Sequence, residues 1–160
     1  MDARKLLKGY SLEIMLAIVY VVIIFFALFF SNKYSFDEIS SSSMEPTLVP
    51  GRYYIFCHDV GEVKRYDIIT FERGDKVICK RIIGMPGDTI TFSSHTVYIN
   101  GVALEEKYIK EPAEYDPGYS YTVPDGCVFV LGDNRNHSVD SRYMSDPYVK
   151  INDIISKKAN

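Results

Sequence analysis

Three short segments carry residue types that can do chemistry together. Ser43, in the stretch Ser43-Met44-Glu45-Pro46-Thr47-Leu48, lies 13 residues beyond an apolar run that ends at Phe30. A Lys80-Arg81 pair sits inside an alternating apolar stretch, and residues 131–142 are dense in Asp, Asn, Arg and Ser. A serine hydroxyl is a weak nucleophile at neutral pH and needs a neighbouring base, a role that a desolvated lysine fills once its pKa has fallen far enough. The combination suggests a serine nucleophile with a lysine base, held just outside a membrane.

Each segment alone also has a plainer reading. A strand period of two puts Ile78, Lys80 and Ile82 on one face of Val77–Ile83, and Val77, Cys79, Arg81 and Ile83 on the other. Burial among such neighbours disfavours the ammonium and lowers a lysine pKa, whereas a lysine at a sheet edge simply snorkels to solvent. The serine run from Ser40 to Ser43 has the composition of a flexible linker, although Met44, Pro46, Leu48, Val49 and Pro50 restrict or bury the chain directly after it. Residues 131–142, taken in isolation, fit a hydrogen-bonded surface loop.

The elements that must position these residues begin with the apolar run. Ile14 to Phe30 holds no charge over 17 positions, and Leu12 extends it past Glu13. At 1.5 Å per residue it crosses most of a hydrocarbon layer of ~30 Å. It is longer than the apolar region of a signal peptide, Ser31-Asn32-Lys33-Tyr34 offers no small-x-small cleavage site, and no polar face marks it as a core helix. Arg4, Lys5 and Lys8 precede it and only Lys33 lies close behind, so the N-terminus is expected in the cytoplasm and the rest outside, in a single-pass cell-membrane protein. The expected organisation is a cytoplasmic N-terminus at 1–11, a transmembrane helix at 12–30, a juxtamembrane linker at 31–38 and an extracytoplasmic catalytic domain at 39–160. A chain of 160 residues has room for one such domain.

That domain reads as mainly β. Tyr53–Cys57, Asp67–Phe71, Val77–Ile83, Thr89–Phe92, Thr96–Ile99 and Cys127–Leu131 are short, rich in β-branched or aromatic residues and separated by turn signals. Asn100-Gly101, between TVYI and VAL, predicts a tight hairpin. Lys150 to Ser156 alternates weakly and would add a last strand, while 105–121 reads as a loop or small extension. The expected architecture is an antiparallel coiled sheet or partial barrel.

Composition removes several classes. A net charge of −3 without a basic patch argues against a nucleic-acid partner. Cys57, Cys79 and Cys127 allow at most one disulfide, and neither they nor His58, His95 and His137 have metal-ligand spacing, so no metal is expected. Thirteen tyrosines against no tryptophan suit half-buried strands and membrane interfaces.

Taken in order, the segments resemble the bacterial type I signal peptidases, nearest the compact Gram-positive form. The matching motifs are the membrane helix, SxSMxPTL (Ser41 to Leu48), YDIITF (Tyr66 to Phe71), KRIIGMPGD (Lys80 to Asp88) and GDNRxxSxDSR (Gly132 to Arg142). The resemblance implies a monomeric, cofactor-free serine endopeptidase that removes signal peptides from secretory preproteins at the lipid bilayer. It implies Ser43 as nucleophile and Lys80 as general base, with the Ser41 hydroxyl and the Ser43 N–H as oxyanion donors. Ser138 would orient Lys80, and Asp140 and Arg142 would form a supporting ion pair. Ile39, Ile78 and Cys79 would line two shallow pockets for small residues at −1 and −3.

The match is incomplete: Asn136-His137 and Tyr143-Met144-Ser145 depart from the family's usual residues. His137 beside Ser138 invites a Ser-His reading, which the presence of Lys80 disfavours. A non-catalytic anchored β module and a self-cleaving Ser/Lys repressor-type protease share parts of the pattern. Retention of both Ser43 and Lys80 argues against the first, the membrane helix against the second.

Overall fold

A computed structural model describes residues 3–159, with side chains from Ser11 onward. The side chains of Arg4, Lys5 and Lys8, on which the expected orientation rests, and most of the expected N-terminal segment 1–11 therefore lie outside the residues described in full. The chain divides into two compact units, Met1–Ser35 and Phe36–Asn160.

In the first unit α1 runs from Ala3 to Lys33. Its stretch Ser11–Lys33 has a mean hydropathy of 2.9 and no buried side chains, long and apolar enough to cross a membrane. Helix and strand thus occupy the whole of the segment 31–38 expected as a linker: α1 continues through Lys33, and Tyr34–Glu38 forms β1. Alternation of Tyr34 and Phe36 with Ser35 and Asp37 suits a strand once a neighbour is available to pair with it.

The remaining strands are β2 (Tyr53–Cys57), β3 (Ile68–Arg73), β4 (Lys76–Gly84), β5 (Thr89–Ser93), β6 (Thr96–Ile99), β7 (Val102–Ala103), β8 (Ser120–Thr122), β9 (Cys127–Leu131), β10 (Tyr148–Lys150) and β11 (Ile154–Lys158). They build an open seven-stranded sheet in the order β1-β2-β11-β3-β4-β9-β10 and a four-stranded sheet in the order β7-β6-β5-β8. The expected partial-barrel, antiparallel fold is what the chain adopts. Asn100 and Gly101 both take positive φ (53° and 81°) and join β6 to β7 with Ile99 opposite Val102, a two-residue turn that few other residue pairs tolerate. The expected final strand is split: β10, a 3-10 turn at Ile151–Asp153, then β11, which lies between β2 and β3.

Three buried clusters follow from the alternation of the strands. Ile83, Ile90, Phe92, Val97, Phe129 and Leu131 join the two sheets. Ile69, Phe71, Ile82, Val128 and Val130 pack on one face of the larger sheet. Ile39, Met44, Leu48, Phe56 and Ile68 form the third, which anchors the turn carrying Ser43.

Candidate active site

Ser43 sits in a 3-10 turn at Ser42–Met44, between β1 and β2. Ser41 caps the turn: its Oγ accepts the Ser43 N–H at 3.2 Å, and Glu45 N–H closes the turn on the Ser42 carbonyl at 3.1 Å. Met44 and Leu48, both fully buried, fasten the turn to the core.

Lys80 lies in the middle of β4, opposite Ile69 on β3. Only 4% of it is exposed, and its Nζ lies 2.7 Å from Ser43 Oγ and donates to the Cys79 carbonyl at 2.8 Å. Burial lowers its pKa below the ordinary lysine value; the opposing pull of Cys79, Asp140 and Asp133 is smaller. A buried amine in contact with a hydroxyl is the arrangement that lets a neutral lysine accept a proton from serine. Burial also pushes the neighbouring Cys79 thiol up to about 12, which keeps it protonated at neutral pH. All three cysteines are free thiols.

The segment from Gly132 to Arg142 closes the site from the other side. Arg142 donates to both oxygens of buried Asp140, at 2.8 and 2.9 Å, and Asp140 Oδ2 accepts the Gly132 N–H at 3.0 Å. The pair therefore holds the loop, with Arg142 also donating to the Arg135 carbonyl at 2.7 Å. Ser138 is 7% exposed, but its Oγ makes no hydrogen bond, so the expected bond from Ser138 to Lys80 is not formed. Lys80 instead spends its donors on Ser43 and on the carbonyl of its own neighbour. His137 is exposed on the turn Arg135–His137.

One other expectation changes in detail. Ser41 was expected to stand beside the Ser43 N–H as a second donor; here it accepts from that N–H, so a substrate oxygen would have to take the place of this internal bond. Ile39, Ile78 and Cys79, expected to line two pockets, fall on two surfaces. Cys79 packs with Ile39 in the third cluster, whereas Ile78 belongs to the second, because consecutive strand residues point to opposite faces.

Residues outside the expected set hold the site together. Arg81, on the opposite face of β4 from Lys80, donates to both oxygens of Asp133 at 2.8 and 2.5 Å, and Thr47 Oγ1 donates to the same carboxylate at 2.5 Å. Asn134 contacts the nucleophile turn, and buried Arg135 pairs with Glu106 from the irregular segment before β8. Arg81 follows Lys80 directly and Asp133 stands inside the polar loop, but which charges pair is a property of the tertiary fold. Among the described residues no cluster of His, Cys, Asp and Glu is arranged to hold a metal.

Gly132 is where these parts touch. A Cβ there would lie 2.2 Å from Ser138 Oγ and 2.5 Å from the Ser43 carbonyl oxygen. Neither neighbour can yield, since one is backbone and the other is a short, buried side chain. Gly132→Ala is expected to cost about 1–3 kcal/mol by overpacking and to lower turnover about tenfold to a hundredfold by displacing Ser43. Gly84→Ala is the control: its Cβ would meet Ile90, Val123 and Phe129 at 2.6–3.0 Å, in the cluster between the sheets. It should lower Tm while leaving the turnover of the folded protein unchanged. Equal effects of the two variants on turnover would show that Gly132 has no special bearing on Ser43.

A family profile described as signal peptidase, peptidase S26, matches residues 8–159. A signal peptidase I of Bacillus caldolyticus is 37% identical over 74% of this chain and 74% of its own length. A probable signal peptidase I-2 of Synechocystis is 42% identical over 66% of this chain, which spans 53% of that relative. The crystal structure of a signal peptidase I from Enterococcus faecalis, 35% identical, superposes with a TM-score of 0.52 over 61% of this chain and 97% of its own.

Proposed function

Because the chain belongs to the S26 family of signal peptidases, a serine peptidase family whose members remove signal peptides, we propose that Ser43 and Lys80 are the pair with which it does so. The observation that carries the reading is the buried Lys80 Nζ at 2.7 Å from Ser43 Oγ. Ser43 Oγ attacks the scissile carbonyl while neutral Lys80 takes its proton, leaving a tetrahedral oxyanion beside the Ser43 N–H and the Ser41 hydroxyl. Lys80 gives that proton to the departing amine as the C–N bond breaks. A water, deprotonated by the same amine, then hydrolyses the acyl-enzyme and restores Ser43. Asp140 and Arg142 hold the loop in place and take no proton.

The apolar helix Ser11–Lys33 is the membrane anchor, and the excess of Arg and Lys ahead of it favours a cytoplasmic N-terminus with the β domain outside. The substrate is a secretory preprotein whose own apolar segment lies in the bilayer, cut after small residues at −1 and −3. Ile39 and Cys79, which pack together, line one of the two small-residue pockets, and Ile78, on the face of β4 that carries Lys80, lines the other. Incubating the purified full chain with a preprotein in detergent tests this. The wild type should release a mature product whose first residue follows a small-x-small triplet, and Ser43→Ala should leave the preprotein whole. Cleavage by Ser43→Ala at the wild-type rate would sink the assignment.

A further inference from the structure

We infer that Asn134 is a positioning residue for the oxyanion hole, holding the Ser42–Ser43 peptide plane so that the Ser43 N–H faces the developing charge. The inference rests on the reading of Ser43 as nucleophile.

Asn134 stands at the N-cap position of the turn Arg135–His137, where an asparagine ordinarily turns its side-chain oxygen onto a backbone N–H of that turn. Here no such cap forms. Asn134 is 1% exposed and its Oδ1 is buried without a hydrogen bond, which is unfavourable. The side chain is committed elsewhere. Its Nδ2 donates to the Ser42 carbonyl at 3.1 Å, and its backbone N–H donates to the Ser43 carbonyl at 3.0 Å. One residue thus holds two successive carbonyls of the nucleophile turn.

The consequence follows from the planarity of the peptide bond. In a trans peptide the C=O of one residue and the N–H of the next point in opposite directions within one plane. Fixing the Ser42 carbonyl therefore fixes where the Ser43 N–H points. That carbonyl is held from two sides, by Asn134 Nδ2 and by the Glu45 N–H at 3.1 Å, while the N–H at the other end of the plane rests on Ser41 Oγ. Asn134 is itself braced by its neighbours: Asp133 is paired with Arg81, and Arg135 is paired with Glu106 and donates to the Gly132 carbonyl at 2.9 Å. With the plane held, a substrate oxygen can take the place of Ser41 Oγ without rotation of the peptide, and a donor that need not turn is the condition under which oxyanion stabilisation is largest.

The test separates kcat from KM for the full chain in detergent with a preprotein substrate. It also compares the affinity of a peptide aldehyde ending in a small residue, which forms a tetrahedral adduct with a serine nucleophile, with that of the corresponding peptide acid, which does not. Asn134→Ala removes Nδ2 but keeps the backbone N–H. It is expected to lower kcat about 10- to 100-fold at unchanged KM, and to weaken the aldehyde by the same factor while leaving the acid unaffected. Asn134→Asp, which sets an oxygen against the Ser42 carbonyl, should lose more; where it does not fold, as read by circular dichroism, Asn134→Ala decides. A rise in KM with kcat retained, or equal weakening of aldehyde and acid, would overturn the inference. Ser43→Ala run alongside keeps the two readings apart. Cleavage by that variant refutes the nucleophile assignment, whereas its inactivity together with full turnover by Asn134→Ala refutes only the role of Asn134.

Discussion

Lys80→Met is expected to lower kcat by about four orders of magnitude and, at neutral pH, to make the protein more stable. The lysine acts as base, then acid, then base again in the proposed cycle, so its removal should reach the upper end of what proton transfer contributes. The gain in stability has a separate origin. Lys80 is 4% exposed, and burial lowers its pKa in the folded chain, so protonated Lys80 is disfavoured in the fold relative to the unfolded chain. Between the lowered folded pKa and the unfolded value of about 10.4, the unfolded chain binds a proton that the folded chain lacks. Wild-type stability therefore rises with pH across that window. The advantage of methionine should be greatest below the folded pKa and fade as pH approaches the unfolded value. Wild-type kcat/KM should climb with pH through the same lowered pKa and level off above it. Thermal unfolding and cleavage, each followed across the alkaline range, check both halves. A variant that is inactive but less stable than the wild type at neutral pH would show that Lys80 is not a destabilised base.

Arg81→Met, one residue along the same strand, is expected to have the opposite effect on stability. Asp133 has no exposed surface, and its two oxygens depend on Arg81 and Thr47. Removing the guanidinium leaves a buried carboxylate without its counter-charge, a loss of about 3–5 kcal/mol. Arg81 also donates to the Tyr66 carbonyl at 2.9 Å and lies 4.2 Å from the centre of the Tyr108 ring, so three segments loosen together. Replacing both charges, Arg81→Met with Asp133→Leu, should recover part of the loss, because no charge is then stranded. Denaturant midpoints for the single and double variants test this. A double variant no more stable than Arg81→Met alone would assign the cost to packing against Tyr108 instead of to the carboxylate.

The contrast between these neighbours explains how far the sequence could be read. Alternation along Val77–Ile83 was enough to set Lys80 among apolar residues and Arg81 on the opposite face, because a strand has only two faces. The same rule showed where strands lie: β2, β6 and β9 have the expected limits, β5 runs one residue further, and β3 and β4 differ by one or two residues at both ends. What alternation does not carry is the identity of partners across the fold. Asp133 looks like any loop aspartate until β4 brings Arg81 beside it, and Asn134 looks like a helix cap until the turn at Ser42–Met44 arrives. The place of β11 was hidden for the same reason: a weakly alternating segment shows that it can be a strand, not that it enters the sheet between β2 and β3. Ser138 and Ser41 were assigned by resemblance, and their hydrogen bonds differ here because hydroxyl partners depend on local geometry that a motif does not encode.

The position of β11 also couples the site to a strand that supplies none of its residues. β1 and β2 flank the turn that carries Ser43, β3 and β4 carry Lys80, and in the order of the larger sheet β11 is the strand that joins the two halves. Without β11, β2 and β3 would each have an unpaired edge, so Ile154–Lys158 is part of what fixes the distance between nucleophile and base. A substitution that loosens β11 would therefore lower turnover from a distance, through the sheet.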